Sequence, residues 1–439
     1  MRGGAGEEVL DFAGPDRGSS IAMQPHPNPP EADLPEDPIR IFEGILAVDR
    51  RGERLPRLYD QLRALAPVWR APVERLGCPW IITRHADAAA LVRSSAFIKD
   101  ERLLGLAGVG AGGAFIDVMR RMFAFQAPAQ HHRMRALVNR GFTPRSIEKL
   151  RPEVQSLVDA LIDGVIDRGE MDLVVEFAFP LPVTVICRLL GAPVGDVPRI
   201  EGWAVTFARR ADPAQALKPE MEKLGDEATV AFVDYVKGLI AARRVAPQDD
   251  LLSRLLAVQR EAPELTDDDI AATTILLFQA GHETTANLIA KGMLALLRQP
   301  EQLAWLRAHP EAIEDATEEL LRFDTSVQIS TKYASRDVPF HGETIREGDP
   351  VTFVWGAINR DPAHFPDPHR LDFGRIAKDH YSFGMGPNFC LGASLARLEI
   401  QHAVGSLVQR LPGLRLVDEP IEYKPQLHLH GLARLRVAW

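Results

Sequence analysis

The sequence predicts a mainly α-helical fold, with one large domain, small peripheral β-sheets and a long central helix. Three observations support this fold class. Apolar residues recur at helical spacing through most of the chain after residue 40, whereas β-type runs are few and short. Start signals precede several of the helical patterns, and no internal repeat or low-complexity linker separates them. We therefore expect residues 38–439 to form a single domain.

Several predicted helices have recognisable beginnings. Thr266 is an N-cap followed by three aspartates, which stabilise the first turn of the longest helix. Thr143 caps a helix that begins with Pro144, a position where proline is favourable. The helical patterns cover residues 54–66, 144–167, 216–244, 266–298, 300–308, 310–323 and 391–410. The β-type runs lie at residues 67–70, 80–83, 338–346, 350–354 and 426–437, with a hairpin turn at 340–343.

The N-terminal stretch differs from the rest of the chain. Residues 24–30 are rich in proline, which fixes φ and lacks a backbone donor, so they cannot hold a helix or a central strand. We expect residues 1–37 to form a flexible tail.

The composition limits the classes of function. The chain has 439 residues and a net charge of −9, so it lacks the basic field that a nucleic-acid-binding protein needs. The cysteines, Cys78, Cys187 and Cys390, are odd in number and far apart, which argues against a disulfide framework. The sequence contains neither a signal-peptide pattern nor an apolar run long enough for a membrane span. These features predict a cytoplasmic protein without a membrane anchor.

A glycine-rich segment at residues 103–115 allows two interpretations. Glycines among small apolar residues lose much entropy when they become ordered. The segment is therefore either an ordinary surface loop, which the residues alone favour, or a mobile lid.

The strongest chemical signal is the segment 383–392, which reads Phe-Gly-Met-Gly-Pro-Asn-Phe-Cys-Leu-Gly. A cysteine that holds iron as a thiolate needs backbone N–H groups aimed at its sulfur, glycines that let the chain turn tightly, and a following helix. Cys390 has these neighbours. A structural cysteine in a glycine-rich turn is the alternative, and zinc is unlikely to be the metal because no Cys or His lies nearby at ligand spacing.

This segment resembles the heme-binding loop of the cytochrome P450 family in its soluble bacterial form, and the resemblance extends from about residue 38 to the C-terminus. It implies the P450 fold, a heme b cofactor and Cys390 as the axial iron ligand. Phe383, Gly384 and Gly392 belong to the same loop. The loop departs from the family pattern at Asn388, where His or Arg usually contacts a heme propionate.

A second motif, Ala-Gly-His-Glu-Thr-Thr at 280–285, lies inside the longest predicted helix. Gly281 costs about 1 kcal/mol in mid-helix, and Thr284 can bond back to the Ala280 carbonyl and bend the helix. A surface Glu and a capping-type Thr are the alternative. The motif resembles the acid–alcohol pair of the family, which implies that Glu283 relays protons and that Thr284 holds a hydrogen bond to dioxygen.

A third motif, at 319–322, resembles the E-x-x-R helix of the family. Residues at i and i+3 share a helix face, so Glu319 can pair with Arg322, although Glu318 competes as a partner. The resemblance selects Glu319 and places a third member, Arg370, in a downstream proline-rich loop. The triad is expected to hold the cysteine loop and to perform no redox chemistry.

The two heme propionates need cationic partners. His131 and Arg135 resemble the H-x-x-x-R motif of the helix that crosses the heme, whereas His132 and Arg133 are expected at the surface. The family commonly has Arg on the strand after the Glu319 helix, and Lys332 takes that position here.

The resemblance favours a monooxygenase that oxidises an apolar substrate with dioxygen and two electrons. The alternatives are a heme-thiolate peroxygenase, whose members typically lack the acid–alcohol pair, and a non-catalytic heme sensor, which needs no proton relay. We expect a monomer that receives electrons from NAD(P)H through a separate ferredoxin and ferredoxin reductase. The cations expected to dock the ferredoxin are Arg133, Arg140, Arg145 and Arg397.

The substrate pocket is expected to be apolar and roomy. The resemblance assigns the 103–115 segment to it as a lid, and Arg209 and Arg210 are expected near its entrance. Its other expected lining residues are Phe278, Ala280, Val327, Ile329 and Leu429. Terpenoid, steroid, polyketide and fatty-acid substrates all remain open.

Overall fold

The structure is a computed structural model that describes residues 37–47, 52–74, 77–106, 112–140, 142–212, 218–262 and 264–439. The predicted tail, apart from Asp37, and residues 107–111 of the predicted lid lie outside these ranges. The α-helices are α1 Pro38–Leu46, α2 Leu55–Leu65, α3 His85–Val92, α4 Arg102–Leu106, α5 Ala114–Arg121, α6 Pro128–Asn139, α7 Pro144–Glu148, α8 Arg151–Asp163, α9 Pro180–Leu190, α10 Val197–Ala211, α11 Pro219–Val245, α12 Leu251–Glu261, α13 Asp267–Leu297, α14 Pro300–Ala308, α15 Ile313–Phe323, α16 Trp355–Ile358 and α17 Ala393–Arg410. The strands are β1 Trp69–Arg70, β2 Trp80–Ile82, β3 Phe97–Ile98, β4 Glu170–Asp172, β5 Ile329–Ala334, β6 Val338–Phe340, β7 Glu343–Ile345, β8 Pro350–Val354, β9 Arg415–Leu416, β10 Glu422–Tyr423, β11 Leu432–Arg434 and β12 Arg436–Ala438.

The 31-residue helix α13 is the centre of the fold. It packs most extensively against α9 and also contacts α5, α11 and α17. The contact with α9 is close, because a Cβ added at Gly281 would lie 3.0 Å from Ile186 Cγ1. The mid-helix glycine therefore has a packing reason that offsets its low helix propensity. Among the described residues, no helix is both long and apolar enough to span a membrane.

The sheets are small, as expected for this fold class. The largest has the strand order β1-β2-β8-β5-β3, with β2 parallel to β8 and the other pairs antiparallel. The predicted hairpin is present as β6 and β7. His341 and Gly342 at its turn have φ of 49° and 83°. Positive φ at both central residues is what a two-residue turn between twisted strands requires.

Some elements differ from the predicted ones for identifiable reasons. The helix predicted at 144–167 is divided into α7 and α8, because Pro152 stands in the first turn of α8 and cannot donate to a preceding turn. Residues 310–312 form a 3-10 turn before α15. The predictions missed α9, which is buried on nearly every side and therefore lacks a polar face to produce a periodic pattern.

The start of α13 offers a test of how the central helix is held. Thr266 Oγ1 accepts a hydrogen bond from the Asp269 N–H at 3.2 Å, and Asp269 accepts one from the Thr266 N–H at 3.0 Å. We expect Thr266→Ala to lower the free energy of unfolding by about 1 kcal/mol, because the Asp269 N–H in the first turn of α13 loses its acceptor. The measurement is a denaturant titration of the full chain. Thr206→Ala, which removes a hydroxyl from the interior of α10, is the control and should change stability little; an equal loss in both variants would contradict the capping role.

Candidate active site

The loop that carries Cys390 is a tight turn. Gly384 and Gly386 have φ of 65° and 71°, in the region that favours glycine. A Cβ at Gly386 would also lie 3.1 Å from the Val92 carbonyl oxygen. The Cys390 N–H donates to the Phe383 carbonyl at 2.9 Å, which closes the loop just before α17. The glycines of this segment thus allow the chain to fold back and present the cysteine.

Cys390 itself lies in a low-dielectric site. Burial raises the pKa of the thiol, whereas a hydrogen bond from the Gly392 N–H and the positive charges of Arg135 and Arg397 act in the opposite direction. The Cys390 residue nevertheless keeps accessible surface. A metal ion at the sulfur would supply the missing positive charge and deprotonate the thiol.

Helix α6 lies against the same loop. His131 is buried, with its ring nitrogens 2.9 Å from the Phe123 carbonyl oxygen and 3.2 Å from the Pro387 carbonyl oxygen. Arg135 donates to the Phe389 carbonyl. Both side chains predicted to bind propionates are therefore next to the cysteine loop, whereas His132 and Arg133 are exposed, as expected.

Two lysines, Lys99 and Lys332, lie at neighbouring strands, and neither forms an ion pair with a carboxylate of the described residues. Lys332 is 2% exposed, and its Nζ has no hydrogen-bond partner. Burial and the neighbouring charge of Lys99 lower the pKa of Lys332 to about 8, and burial lowers the pKa of Lys99 as well. The antiparallel register of β3 and β5 pairs Ile98 with Tyr333, so Lys99 follows opposite Lys332. The sequence predictions missed Lys99, because only this strand register brings it to the site.

One face of α13 is open in the middle of an otherwise buried helix. Ala280 is exposed and Thr284, one turn later, is partly exposed, whereas their neighbours Phe278, His282 and Thr285 are buried. The Thr284 hydroxyl donates to the Ala280 carbonyl at 2.8 Å, the back-bond that the residue types suggested. This face provides a small apolar surface with one hydroxyl.

Glu283 points away from that face into a buried polar cluster. Its Oε1 accepts hydrogen bonds from Lys424 Nζ at 3.0 Å and Gln426 Nε2 at 2.9 Å. Burial acts to raise the pKa of Glu283, but the charges of Lys424 and His282 and these hydrogen bonds lower it overall. The Glu283 carboxylate is therefore ionised. Glu283 precedes Thr284 in the sequence, and its partner Lys424 is the more exposed member of the ion pair.

The pair at the E-x-x-R motif is fully buried. Arg322 donates to both carboxylate oxygens of Glu319, at 2.7 and 2.8 Å, and to the carbonyls of Asn359 and Pro368, each at 3.0 Å. These bonds tie α15 to the chain segment that leads to the cysteine loop.

The prediction of Arg370 as the third triad member is wrong. Its side chain is exposed, and only its carbonyl oxygen lies near Arg322, at 3.5 Å. Arg375 instead donates to Glu319 at 3.3 Å and to the carbonyls of Pro366 and Asp367 at 2.6 and 3.2 Å. The turn of the loop at Asp367–Arg370 directs the Arg370 side chain outward.

Glu318 has its own partners, which resolves the ambiguity in the motif. Arg397 donates to both of its oxygens, at 2.6 and 2.8 Å. Burial acts to raise the pKa of Glu318. The hydrogen bonds and charges of Arg397 and His380 nevertheless lower this pKa to about 2. Arg397 also lies over the Phe383 ring at 4.6 Å, and its side chain remains 31% exposed.

The predicted pocket residues are only partly brought together. Val327 and Leu429 form a β-bridge, and Ile329 begins β5 just beyond it. Phe278 does not line the open face: it is 1% exposed, packs against Phe232, and lies two residues, about 200°, around α13 from Ala280.

Two arginines expected near the pocket entrance differ in their exposure. Arg210 is 1% exposed and lies over the Phe115 ring at 5.2 Å, so the expectation for this residue is wrong. Gly225 allows this burial, because a Cβ there would lie 2.5 Å from the Arg210 side chain. Arg209, by contrast, is partly exposed.

The residues present fit a heme. The buried amino group of Lys332, next to the charge of Lys99, has no hydrogen-bond partner among the described residues, and a heme propionate would supply one. The Cys390 thiol lies in the field of two guanidinium groups, and the open face of Ala280 and Thr284 is small and mainly apolar. The lysines would serve the cofactor carboxylates, Cys390 would serve the metal, and the face of Ala280 and Thr284 would leave room beside the cofactor.

Comparisons with known proteins agree with this chemistry. A family model described as Cytochrome P450 matches residues 210–414. The "Biotin biosynthesis cytochrome P450" of Bacillus subtilis (strain 168) is 37% identical over 385 residues, covering 87% of this chain and 95% of that protein. The 6-deoxyerythronolide B hydroxylase of Saccharopolyspora erythraea is 36% identical, covering 87% and 95%. The crystal structure of P450BioI with hexadec-9Z-enoic acid ligated acyl carrier protein superposes with a TM-score of 0.82 at 35% identity, covering 88% and 98%.

The corrected triad leads to a paired test. We expect Arg375→Met to destabilise the protein by about 1.5–3 kcal/mol, because the buried Glu319 and two carbonyls lose charged donors. Arg370→Met should change stability by less than about 0.5 kcal/mol, since its side chain is exposed. The measurement is the unfolding free energy of both variants in the full chain, with heme content as a second readout. A larger loss for Arg370→Met would restore the assignment from sequence.

Proposed function

The chain belongs to the cytochrome P450 family and is a heme-thiolate monooxygenase, and we propose that it hydroxylates or epoxidises an apolar organic substrate. One observation carries the proposal: the accessible face of α13 joins an apolar wall at Ala280 to the Thr284 hydroxyl, next in sequence to the buried acid Glu283. A sensor would need no such pair, and a peroxygenase would need no proton delivery.

We propose that the heme is held by residues from four parts of the chain. Cys390 would hold the heme iron through its thiolate sulfur, and a bound heme would supply the activation of dioxygen. His131 and Arg135 of α6 and Lys332 of β5 would bind the propionates, with Asn388 as a neutral donor. Lys99 joins them as an additional cation, supported by its place opposite Lys332.

Proton delivery is proposed to pass through Glu283 to the open face of α13. The Lys424 side chain is 20% exposed, so the Glu283–Lys424 pair lies between solvent and the interior. Glu283 is ionised at neutral pH and can accept a proton when Lys424 moves aside. The Thr284 hydroxyl donates to the Ala280 carbonyl and keeps its lone pairs available to accept a hydrogen bond.

The substrate is proposed to be apolar, because the expected pocket residues Ala280, Val327, Ile329 and Leu429 carry no charge. The similar proteins are associated with different molecules: one is named as a hydroxylase of 6-deoxyerythronolide B, and another was crystallised in complex with an acyl carrier protein that carries hexadec-9Z-enoic acid. A spectral binding screen with both ligand types is therefore the direct way to find the class.

Electrons are proposed to come from NAD(P)H through a separate ferredoxin and its reductase. Of the cations expected for docking, Arg145 is exposed, whereas Arg133 and Arg140 form surface pairs with Glu264 and Glu261. Such exposed pairs are worth about 0–1 kcal/mol, so an acidic partner can replace these glutamates. Arg397, bound to Glu318, is not part of the proposed docking surface.

The lysine pair predicts a pH-dependent heme affinity. The pKa of Lys332 is about 8 when no anion is bound, so the amine is largely neutral above that pH. Binding of a heme carboxylate above pH 8 must therefore be accompanied by uptake of a proton by Lys332. Heme affinity should be constant below about pH 8 and fall as the pH rises further. Lys332→Met should speed heme transfer to apomyoglobin by about tenfold at pH 7.5, because the variant loses one charged hydrogen bond to the heme.

The matched variants for this test are Lys332→Arg and Lys378→Met. Arginine stays charged, so Lys332→Arg should retain heme and lose the pH dependence. Lys378 is exposed, and its removal should have no effect. Equal heme-transfer rates in Lys332→Met and the unaltered protein would contradict the assignment.

The monooxygenase activity is tested by reconstitution. With ferredoxin, reductase, NADPH and dioxygen, substrate oxidation should consume NADPH, and the reduced carbon monoxide complex should absorb at about 450 nm. Thr284→Ala should lower product formed per NADPH by about a hundredfold, because proton delivery fails. Thr274→Ala removes an equivalent back-bonded hydroxyl from the buried part of α13 and should retain coupling. Turnover with peroxide, together with no turnover with ferredoxin, reductase and NADPH, would favour the peroxygenase alternative.

A further inference from the structure

A second pocket lies away from the cysteine loop. It has a volume of about 410 Å³ and is bounded by α2, the C-terminal half of α13, the end of α15 and the segment 422–430. Lys291 on its wall follows Thr284 by seven residues, about 10 Å along α13. None of the residues assigned to heme, protons or substrate lines it. We call it the Arg360 pocket.

Arg360 is the unusual residue of this pocket. It is 7% exposed and lines the cavity, with its guanidinium over the Phe323 ring at 4.4 Å. Its hydrogen bond is to His369 Nδ1 at 3.1 Å, and within the described ranges no carboxylate oxygen lies within 4 Å of it. Burial lowers its pKa, although Asp324 and Asp60 act on it from a longer distance. A buried guanidinium is normally paired, so this one is set up to receive an anion.

The carboxylates around the pocket already have partners. Asp324 binds Lys291 at 2.8 Å, and Glu53 binds Arg298. Asp60 accepts from His369 Nε2 at 2.6 Å, and this bond leaves Nδ1 as the acceptor for Arg360. The anion for Arg360 must therefore come from outside these pairs.

Other groups on the wall indicate the shape of the ligand. Thr325 is 1% exposed, and its Oγ1 has no hydrogen-bond partner, so a second polar group on the wall is unsatisfied. Leu55, Leu294 and the ring of Tyr423 supply apolar surface on the same walls. We propose that the Arg360 pocket binds a small organic oxyanion: its carboxylate or phosphate pairs with Arg360, and its apolar body lies against these side chains.

The test uses the heme-loaded full chain with three probes, namely phenyl phosphate, benzoate and inorganic phosphate, in isothermal titration calorimetry. Phenyl phosphate or benzoate should bind once per chain, more tightly than inorganic phosphate. Arg360→Met should weaken that binding at least about tenfold, the effect of losing a charged hydrogen-bonded pair. Arg346→Met removes an exposed arginine elsewhere and should leave binding unchanged. Absence of binding, or equal affinity in Arg360→Met, would overturn the proposal.

A second readout separates a binding role from a structural one. Because Arg360 has no carboxylate within ion-pair distance in the described fold, Arg360→Met should keep or raise the thermal midpoint and keep the carbon monoxide spectrum of the heme site. A lower midpoint with unchanged probe affinity would make Arg360 a structural residue. Thr325→Val, which removes the unsatisfied hydroxyl, should also keep the midpoint while it weakens phenyl phosphate binding; unchanged binding would remove Thr325 from the site.

Discussion

The buried ion pair of Glu319 and Arg322 is the constraint on which the placement of the cysteine loop depends. Both side chains are fully buried, and breaking such a pair by removing one partner costs about 3–5 kcal/mol. The pair is tolerated because its remaining donors and acceptors are used: Arg322 binds two carbonyls, and Glu319 also accepts from Arg375 and the Asp372 N–H. The chain from 359 to 375 is thereby tied to α15. This anchored segment leads directly to the turn that presents Cys390.

The site itself concentrates positive charge, and among the described residues no carboxylate pairs with Lys332. Lys332 and Lys99 carry lowered pKa values because burial disfavours their charged forms. Burial raises the pKa of the Cys390 thiol overall, and the positive charge of Arg135 acts in the opposite direction. A buried lysine that has no partner among the described residues is costly without a ligand, and an iron porphyrin with two carboxylates would compensate for that cost.

The acid of the central helix shows how distant segments set local chemistry. Glu283 is adjacent to Thr284 in sequence, yet its charge is stabilised by Lys424 and Gln426 from the C-terminal region. The charge environment of Arg360 is also set by residues that are distant in sequence, but here they leave the charge without an ion-pair partner among the described residues. Asp324 pairs with Lys291, and Asp60 pairs with Arg63 and His369.

The sequence by itself determined the helical fold class, the cysteine loop, the Ala280–Thr284 motif and the restriction of the partner of Arg322 to Glu318 or Glu319. These features are local: tight turns need glycine, and residues three or four apart on a helix share a face. Tertiary structure alone decided that Arg375 binds Glu319 in place of Arg370, that Arg397 belongs to Glu318, and that Lys99 lies opposite Lys332. In each case the partners are tens to hundreds of residues apart, and which of several similar charges meet depends on loop direction and strand register, which spacing in the sequence does not specify.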